Sequence, residues 1–282
     1  MDADLACTTV LIGLLCAISG AYAVRVVRAG TAHHARVEAE GESALIAKGV
    51  MEMLVWAATP VVNACAKLRI TPNAVTYSSL AFGAAAAAAF ATGHFGVGAL
   101  LATATGACDS IDGLLARKLG MASPAGELLD AAVDRYVDFA LLAGVAFWFR
   151  GEPTRLLLAL FALLASFMVS YSTAKADAMH VAPPRGSMRR VERSVLLVGA
   201  AAITPLAALA GRDWAALPML GALGLIALVG NASAVQRLAC VRDRVREREQ
   251  ERKQERERER ERQNEKDGEP ERAARRELGV AE

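Results

Sequence analysis

The feature that most constrains this chain is a set of four aspartates inside an otherwise apolar sequence. Asp109 and Asp112 lie three residues apart, and Asp130 and Asp134 lie four apart, so each pair shares one face of a helix. The segment 118–125 between the pairs contains glycine and proline, and it can turn the second helix back against the first. We therefore expect four carboxylates to face one another at the edge of a membrane.

Carboxylates this close together predict a metal site. Neighbouring acids repel one another and resist ionisation, and one or two hard divalent cations remove that conflict. Ligand sets made only of oxygen favour Mg²⁺ or Mn²⁺ over zinc. The alternative is that the aspartates are ordinary charges at helix ends. Their apolar flanks argue against it, because acidic groups within a membrane are costly.

Apolar stretches of about bilayer length predict an all-α, polytopic membrane bundle. We interpret residues 5–24 as an anchor helix rather than a cleaved signal peptide, because Asp2 and Asp4 precede the stretch and Arg25 follows it. Residues 43–68 are amphipathic and predict a helix in the membrane interface. Six further spans, seven with the anchor, are expected at 75–92, 97–117, 127–149, 155–178, 194–210 and 215–236.

Composition divides the chain into four parts: an anchor at 1–28, a polar linker at 29–42, a membrane domain at 43–240 and a charged tail at 241–282. Glutamate and arginine alternate in the tail, which places opposite charges at i,i+3 but like charges at i,i+4. We expect a solvated tail that is partly helical or disordered. Because its acids cancel its bases, no nucleic-acid partner is predicted.

Basic residues predict the orientation in the membrane. One set of loops, together with the tail, holds most of them, and the opposite set holds only Arg150, Arg155 and Arg212. This bias places the aspartates and the tail on the cytoplasmic side of the cell inner or plasma membrane. The five cysteines have no paired spacing and indicate small apolar side chains rather than a disulfide or metal framework.

The aspartates belong to a longer pattern, D-x-x-D-G-x-x-A-R followed, after eight residues, by G-x-x-x-D-x-x-x-D. Its other fixed positions are filled by Gly113, Ala116, Arg117 and Gly126. The pattern resembles that of the CDP-alcohol phosphatidyltransferase family (class I), over roughly residues 45–236. The resemblance implies six family transmembrane helices, a homodimer, and displacement of CMP from CDP-diacylglycerol by an alcohol. The anchor and the tail lie outside it.

The same resemblance implies roles for individual residues. Asp109, Asp112 and Asp130 would bind Mg²⁺ or Mn²⁺, with two ions per site, and Asp134 would be both a ligand and the catalytic base. The expected contacts of CDP-diacylglycerol come from three stretches and are Pro72, Asn73, Ala74, Val75, Gly113, Ala116, Arg117, Ser123 and Gly126.

A basic stretch predicts the acceptor. Five bases lie between residues 175 and 193, which suits a phosphorylated polyol, although the orientation bias alone accounts for some of them. The stretch resembles the Y-x-x-A-[RK]-A-[ED] and G-x-x-x-R-x-E-R patterns of the phosphatidylinositol-phosphate synthase branch. That resemblance implies inositol phosphate as acceptor, bound through Lys175, Arg185, Arg190 and Arg193.

Three alternatives remain at this stage. Glycerol 3-phosphate is the second candidate acceptor, as in a phosphatidylglycerophosphate synthase. A membrane prenyltransferase also uses aspartate-rich motifs and Mg²⁺, but it gives no reason for Gly113, Ala116 and Arg117. A channel or transporter would distribute its acids along a pore rather than gather them at one edge.

Overall fold

The chain forms a bundle of long helices in a computed structural model that describes residues 2–30, 48–181 and 187–277. The long helices are α1 (Asp2–Ala29), α2 (Lys48–Lys67), α3 (Pro72–Ala91), α4 (Phe95–Lys118), α5 (Pro124–Trp148), α6 (Pro153–Ala178), α7 (Arg190–Ala210) and α8 (Leu217–Glu277). Single helical turns at Phe149–Gly151 and Arg212–Ala215 connect some of them. No strand occurs in these described ranges, and the all-α prediction is confirmed.

Two compact units make up the chain. The first comprises Met1–Tyr171 and Gly186–Ala234, and the second comprises Ser172–Arg185 and Val235–Glu282. In the first unit α3 packs against α4 and α5, while α4 also contacts α1, α2 and α7. The centre of its apolar core holds the fully buried Phe90 and Leu223. The aspartates thus lie on helices that many neighbours hold in place.

Small residues let α3 and α5 approach closely. A Cβ atom added to Gly144 of α5 would lie 2.4 Å from the carbonyl oxygen of Ala87 on α3. Such close backbone approach favours helix packing in membranes, where lipid provides no hydrophobic driving force between helices. The alanine run of α3, read in the sequence as a span, therefore serves as a packing surface.

Capping residues set the starts of α3 and α5. Thr71 accepts a hydrogen bond from the backbone N–H of Ala74 at 3.3 Å, and Pro72 occupies the first turn of α3. Ser123 plays the same part for α5 and accepts from the N–H of Gly126 at 3.1 Å. Gly120, with a φ of 65°, turns the chain between α4 and α5.

The additional helix α1 is attached to the bundle at both ends. Near its start, the carboxylate of Asp4 accepts hydrogen bonds from the backbone N–H groups of Gly96 (2.9 Å) and Val97 (3.1 Å) at the beginning of α4. Near its end, the Tyr22 ring lies 5.6 Å from the Trp56 ring of α2. We conclude that the anchor is an integrated part of the first unit.

Six of the described helices are long and apolar enough to cross a membrane: α1, α2, α3, α6, α7 and the first part of α8. Helix α2 is among them, although its sequence pattern indicated an interfacial position. Helices α4 and α5 are of similar length, with 24 and 25 residues. Charged residues, including the aspartates, interrupt the apolar stretches of these two helices, so the helices do not meet the same composition criterion.

The second unit has a small core of its own, formed by Ala176, Val181 and Val241. Arg248 donates hydrogen bonds to the carbonyl oxygens of Met179 (3.2 Å) and His180 (2.9 Å). Helix α8 continues through Glu277, so the tail is more continuously helical than its mixed charge pattern indicated. Most of the predicted linker, from residue 31 onward, lies outside the described residues.

Candidate active site

Helices α4 and α5 bring three of the predicted carboxylates together. Asp109, Asp130 and Asp134 each offer one oxygen, and these oxygens all lie within 4.8 Å of one another. All three side chains are half-buried. The turn at Gly120 and the cap at Ser123 produce this arrangement, because they reverse the chain between the two helices.

The cluster fits a hard divalent cation. The three carboxylate oxygens lie within 4.8 Å of one another, and small side-chain movements would bring them within the roughly 4.2 Å that separates opposite ligands of a Mg²⁺ ion bound at about 2.1 Å. The donor set contains oxygen only, which suits Mg²⁺ or Mn²⁺. The residues present can therefore hold the predicted metal.

The fourth aspartate is oriented differently. Asp112 is 5% exposed, and its Oδ2 accepts a hydrogen bond of 2.6 Å from the hydroxyl of Thr76 on α3. It is not a member of the group of three. We expected four carboxylates to face one another, and three of them do. The carboxylate of Asp112 is instead bound by the Thr76 hydroxyl on α3.

A guanidinium group joins the carboxylates of the two helices. The Nη1 of Arg190 lies 2.9 Å from Asp109, and its Nη2 lies 2.7 Å from Asp134. Arg190 is the first residue of α7, which places three helices around one cluster. The cluster therefore combines acidic groups with one cation that is aimed into it.

Asp138 extends the site by one helical turn beyond Asp134. Its Oδ2 accepts hydrogen bonds from the Ser166 hydroxyl (2.8 Å) and from Nη2 of Arg193 (2.9 Å). Its Oδ1 lies 3.7 Å from Nε of Arg190. An acid that is 9% exposed is retained here because two cations and a hydroxyl compensate its charge.

The positions predicted to contact CDP-diacylglycerol lie on three stretches of the chain, in α3, in α4 and at the start of α5. On α3, Pro72 and Val75 are buried, whereas Asn73 and Ala74 are exposed. On α4, Gly113 and Ala116 are half-buried and Arg117 is exposed. At the start of α5, Ser123 uses its oxygen to accept the capping bond from Gly126, and its own O–H stays able to donate.

The predicted acceptor residues have different environments. Arg190 lies in the cluster, and Arg193 is 5% exposed, with its guanidinium bonded to Asp138 and to the Met188 carbonyl. Lys175 is an exposed residue of the second unit. Arg185 lies outside the described residues.

Sequence reasoning missed Asp138 and Ser166, and it did not foresee the contact between Thr76 and Asp112. Asp138 could have been found, because it follows Asp134 by four residues in an apolar stretch and continues the same helical face. Ser166 carried no such indication, and the sequence did not show which side chain Thr76 would contact. A hydroxyl residue in an apolar helix is common, and only the packing of neighbouring helices shows its partner.

The family model for CDP-alcohol phosphatidyltransferase matches residues 69–229, which is more than half of the chain. The chain belongs to the CDP-alcohol phosphatidyltransferase family. It is accordingly a transferase of phospholipid biosynthesis and an integral membrane protein. The matched region contains the whole carboxylate cluster and Arg190.

Relatives of known activity agree with this assignment. The phosphatidylinositol phosphate synthase of Cutibacterium acnes is 33% identical over 188 residues, which cover 65% of this chain and 91% of that protein. The crystal structure of Mycobacterium tuberculosis phosphatidylinositol phosphate synthase with CDP-DAG bound has a TM-score of 0.60 at 26% identity, over 65% of this chain and 92% of that one. A second structure of that synthase, in complex with manganese and citrate, gives the same TM-score and identity over 65% and 88% of the two chains.

Proposed function

We propose that this phosphatidyltransferase transfers a phosphatidyl group from CDP-diacylglycerol to an inositol phosphate and releases CMP. The observation that carries the proposal is the guanidinium of Arg190, held between Asp109 and Asp134. A fixed cation beside the proposed base suits an acceptor that carries a phosphate, because arginine binds phosphate oxygens in bidentate fashion. The names of the relatives, and the CDP-DAG in one of their structures, support the same substrates.

The proposed reaction is a substitution at phosphorus. The inositol hydroxyl oxygen forms a bond to the phosphorus that carries diacylglycerol, and the bond from that phosphorus to the CMP oxygen breaks. CMP leaves with that oxygen, and the hydroxyl proton passes to a carboxylate oxygen of Asp134. Arg190 Nη2 lies 2.7 Å from Oδ1 of Asp134, which leaves the second oxygen to accept the proton.

We assign the metal to Asp109, Asp112, Asp130 and Asp134, with Mg²⁺ or Mn²⁺ as the ion and two ions per site. When bound, the ions would neutralise charge on the diphosphate and polarise its P–O bonds. Thr76 holds the Asp112 carboxylate by the hydroxyl bond of 2.6 Å. The residues from Pro72 to Val75, with Gly113, Ala116, Arg117, Ser123 and Gly126, form the proposed binding surface for CDP-diacylglycerol.

The test is CMP release from CDP-diacylglycerol by the purified protein in detergent with Mg²⁺. Inositol 1-phosphate, glycerol 3-phosphate, free inositol and serine are supplied in parallel. We expect release with inositol 1-phosphate and loss of at least about 100-fold in Asp134→Asn, because a missing base usually costs about 10²–10⁴-fold in rate. Asp243→Asn, in the exposed tail, is the matched control. Release with free inositol and not with its phosphate would refute the acceptor assignment.

The assembly and orientation are also proposals. Family resemblance supports a homodimer, and cross-linking in native membranes should yield a species of twice the monomer mass. The distribution of basic residues supports a cytoplasmic active site and tail. A protease added to sealed inside-out vesicles should then remove the tail, whereas right-side-out vesicles should protect it.

A further inference from the structure

The first turn of α7 is built by a buried acid. Glu192 is 1% exposed, and its Oε2 accepts hydrogen bonds from the backbone N–H groups of Met188 (2.6 Å) and Arg189 (3.1 Å). These bonds satisfy donors that a helix start otherwise leaves without partners. The backbone at Arg190 therefore enters the site in one orientation.

A buried arginine fixes this turn to two other helices. Arg193 donates from Nη1 to the Met188 carbonyl (2.8 Å) and from Nη2 to Asp138 on α5 (2.9 Å). Asp138 in turn accepts from Ser166 on α6 (2.8 Å). Removing either partner of a buried ion pair leaves an uncompensated charge. Arg193 thus cannot bind a soluble phosphate without giving up the bonds that place α7.

Arg190 is differently placed. Its side chain is 22% exposed, its terminal nitrogens face the reacting cluster, and its Nε lies 3.7 Å from Oδ1 of Asp138. We propose that Asp138, Glu192 and Arg193 form a positioning unit that aims Arg190 at the acceptor phosphate. Of the two arginines Arg190 and Arg193, only Arg190 then contacts the acceptor. The identity of the acceptor rests on the proposed function. The orientation of the Arg190 side chain toward the carboxylate cluster does not depend on that function.

A charge-neutral double variant tests the positioning unit. Asp138→Asn with Arg193→Gln removes one negative and one positive charge together and leaves no unpaired ion. We expect the KM for inositol 1-phosphate to rise about tenfold and the KM for CDP-diacylglycerol to stay within about twofold, as for loss of one interaction with one substrate. Arg190→Gln should raise the same KM by at least as much.

The decisive comparison is the triple variant. Residues that act through one another have non-additive effects, so adding the double change to Arg190→Gln should raise the acceptor KM no further. Effects that multiply would overturn the proposal, as would an unchanged KM in the double variant. If the double variant does not fold, Ser166→Ala takes its place, because it removes one hydrogen bond to Asp138. It is then measured alone and in combination with Arg190→Gln.

Manganese binding separates this inference from the acceptor assignment. If the wild type uses no phosphorylated acceptor, the proposed function fails, and Mn²⁺ titration of the same variants becomes the readout. Arg190→Gln should tighten Mn²⁺ binding because it removes a cation from Asp109 and Asp134. The double variant should do the same, and the triple variant should match Arg190→Gln. No tightening in Arg190→Gln or in the double variant would overturn the positioning unit.

Discussion

The contact between Asp4 and the start of α4 predicts a large stability loss on substitution. Asp4→Ala deprives two backbone N–H groups, those of Gly96 and Val97, of a charged acceptor at 2.9 and 3.1 Å. A hydrogen bond to a charged group contributes about 1.5–3 kcal/mol. The partly exposed bond to Val97 counts for less, and His94 adds little because its side chain is 54% exposed. We expect a loss of about 3 kcal/mol for Ala and about 1 kcal/mol for Asn, which keeps one acceptor.

Thermal unfolding in detergent measures this loss. At about 2–4 °C per kcal/mol, Asp4→Ala should melt on the order of 10 °C below the wild type. CMP release at low temperature should be retained, because Asp109 lies 13 residues along α4 from Gly96, which is about 20 Å. Gly96→Ala should melt early too, since its Cβ would lie 2.2 Å from the Asp4 carbonyl oxygen. A melting point within about 1 °C of wild type in Asp4→Ala would refute the reasoning.

Three further substitutions have expected outcomes. Thr76→Val keeps the shape but removes the 2.6 Å bond to Asp112, and CMP release should fall about tenfold, which corresponds to about 1.4 kcal/mol. Leu115→Ala, at a fully buried position, should cost about 2–5 kcal/mol in thermal unfolding. Gly144→Ala sets a Cβ 2.4 Å from the Ala87 carbonyl oxygen, and the forced separation of α3 and α5 should cost about 1–3 kcal/mol.

Each of these changes has a matched control in the chain. Ser78→Ala removes an exposed hydroxyl of α3 that bonds only to its own helix in the described contacts, so CMP release should be unchanged. Leu209→Ala removes a side chain that is 61% exposed. Gly199→Ala places a Cβ with nothing within 4 Å and should leave stability equal or higher. A control that loses as much as its partner would contradict the explanation given for that partner.

The fold was largely predictable because the length of each apolar stretch can be read from the local sequence alone. Every predicted span has a helix, and most predicted ends lie close to the observed ones, although α8 continues to Glu277, beyond the predicted end at residue 236. The tail was less predictable, since charges at i,i+3 and i,i+4 act in opposite directions. The sequence does not decide whether α2 crosses the membrane or lies in its interface. Helix α2 has the length and composition of a membrane span, but it also has the amphipathic pattern of an interfacial helix.

The site was predictable only within each helix. Spacing placed Asp109 with Asp112, and Asp130 with Asp134, on common faces. It could not show that Thr76 turns Asp112 toward α3, or that Arg193 is buried against Asp138, because both contacts join different helices. The two arginines of R-x-E-R look equivalent in the sequence, and only their burial separates them.

The two attachments of α1 make its length a constraint on the bundle. Asp4 and Tyr22 lie 18 residues apart, which spans about 27 Å of helix, close to the hydrocarbon thickness of about 30 Å. One alanine inserted after Gly13 would rotate one end by about 100° relative to the other, so Asp4 and Tyr22 could no longer reach both partners. Seven inserted residues would nearly restore the angle but add about 10 Å. The two contacts therefore fix both the length of α1 between Asp4 and Tyr22 and the rotation of one end of the helix relative to the other.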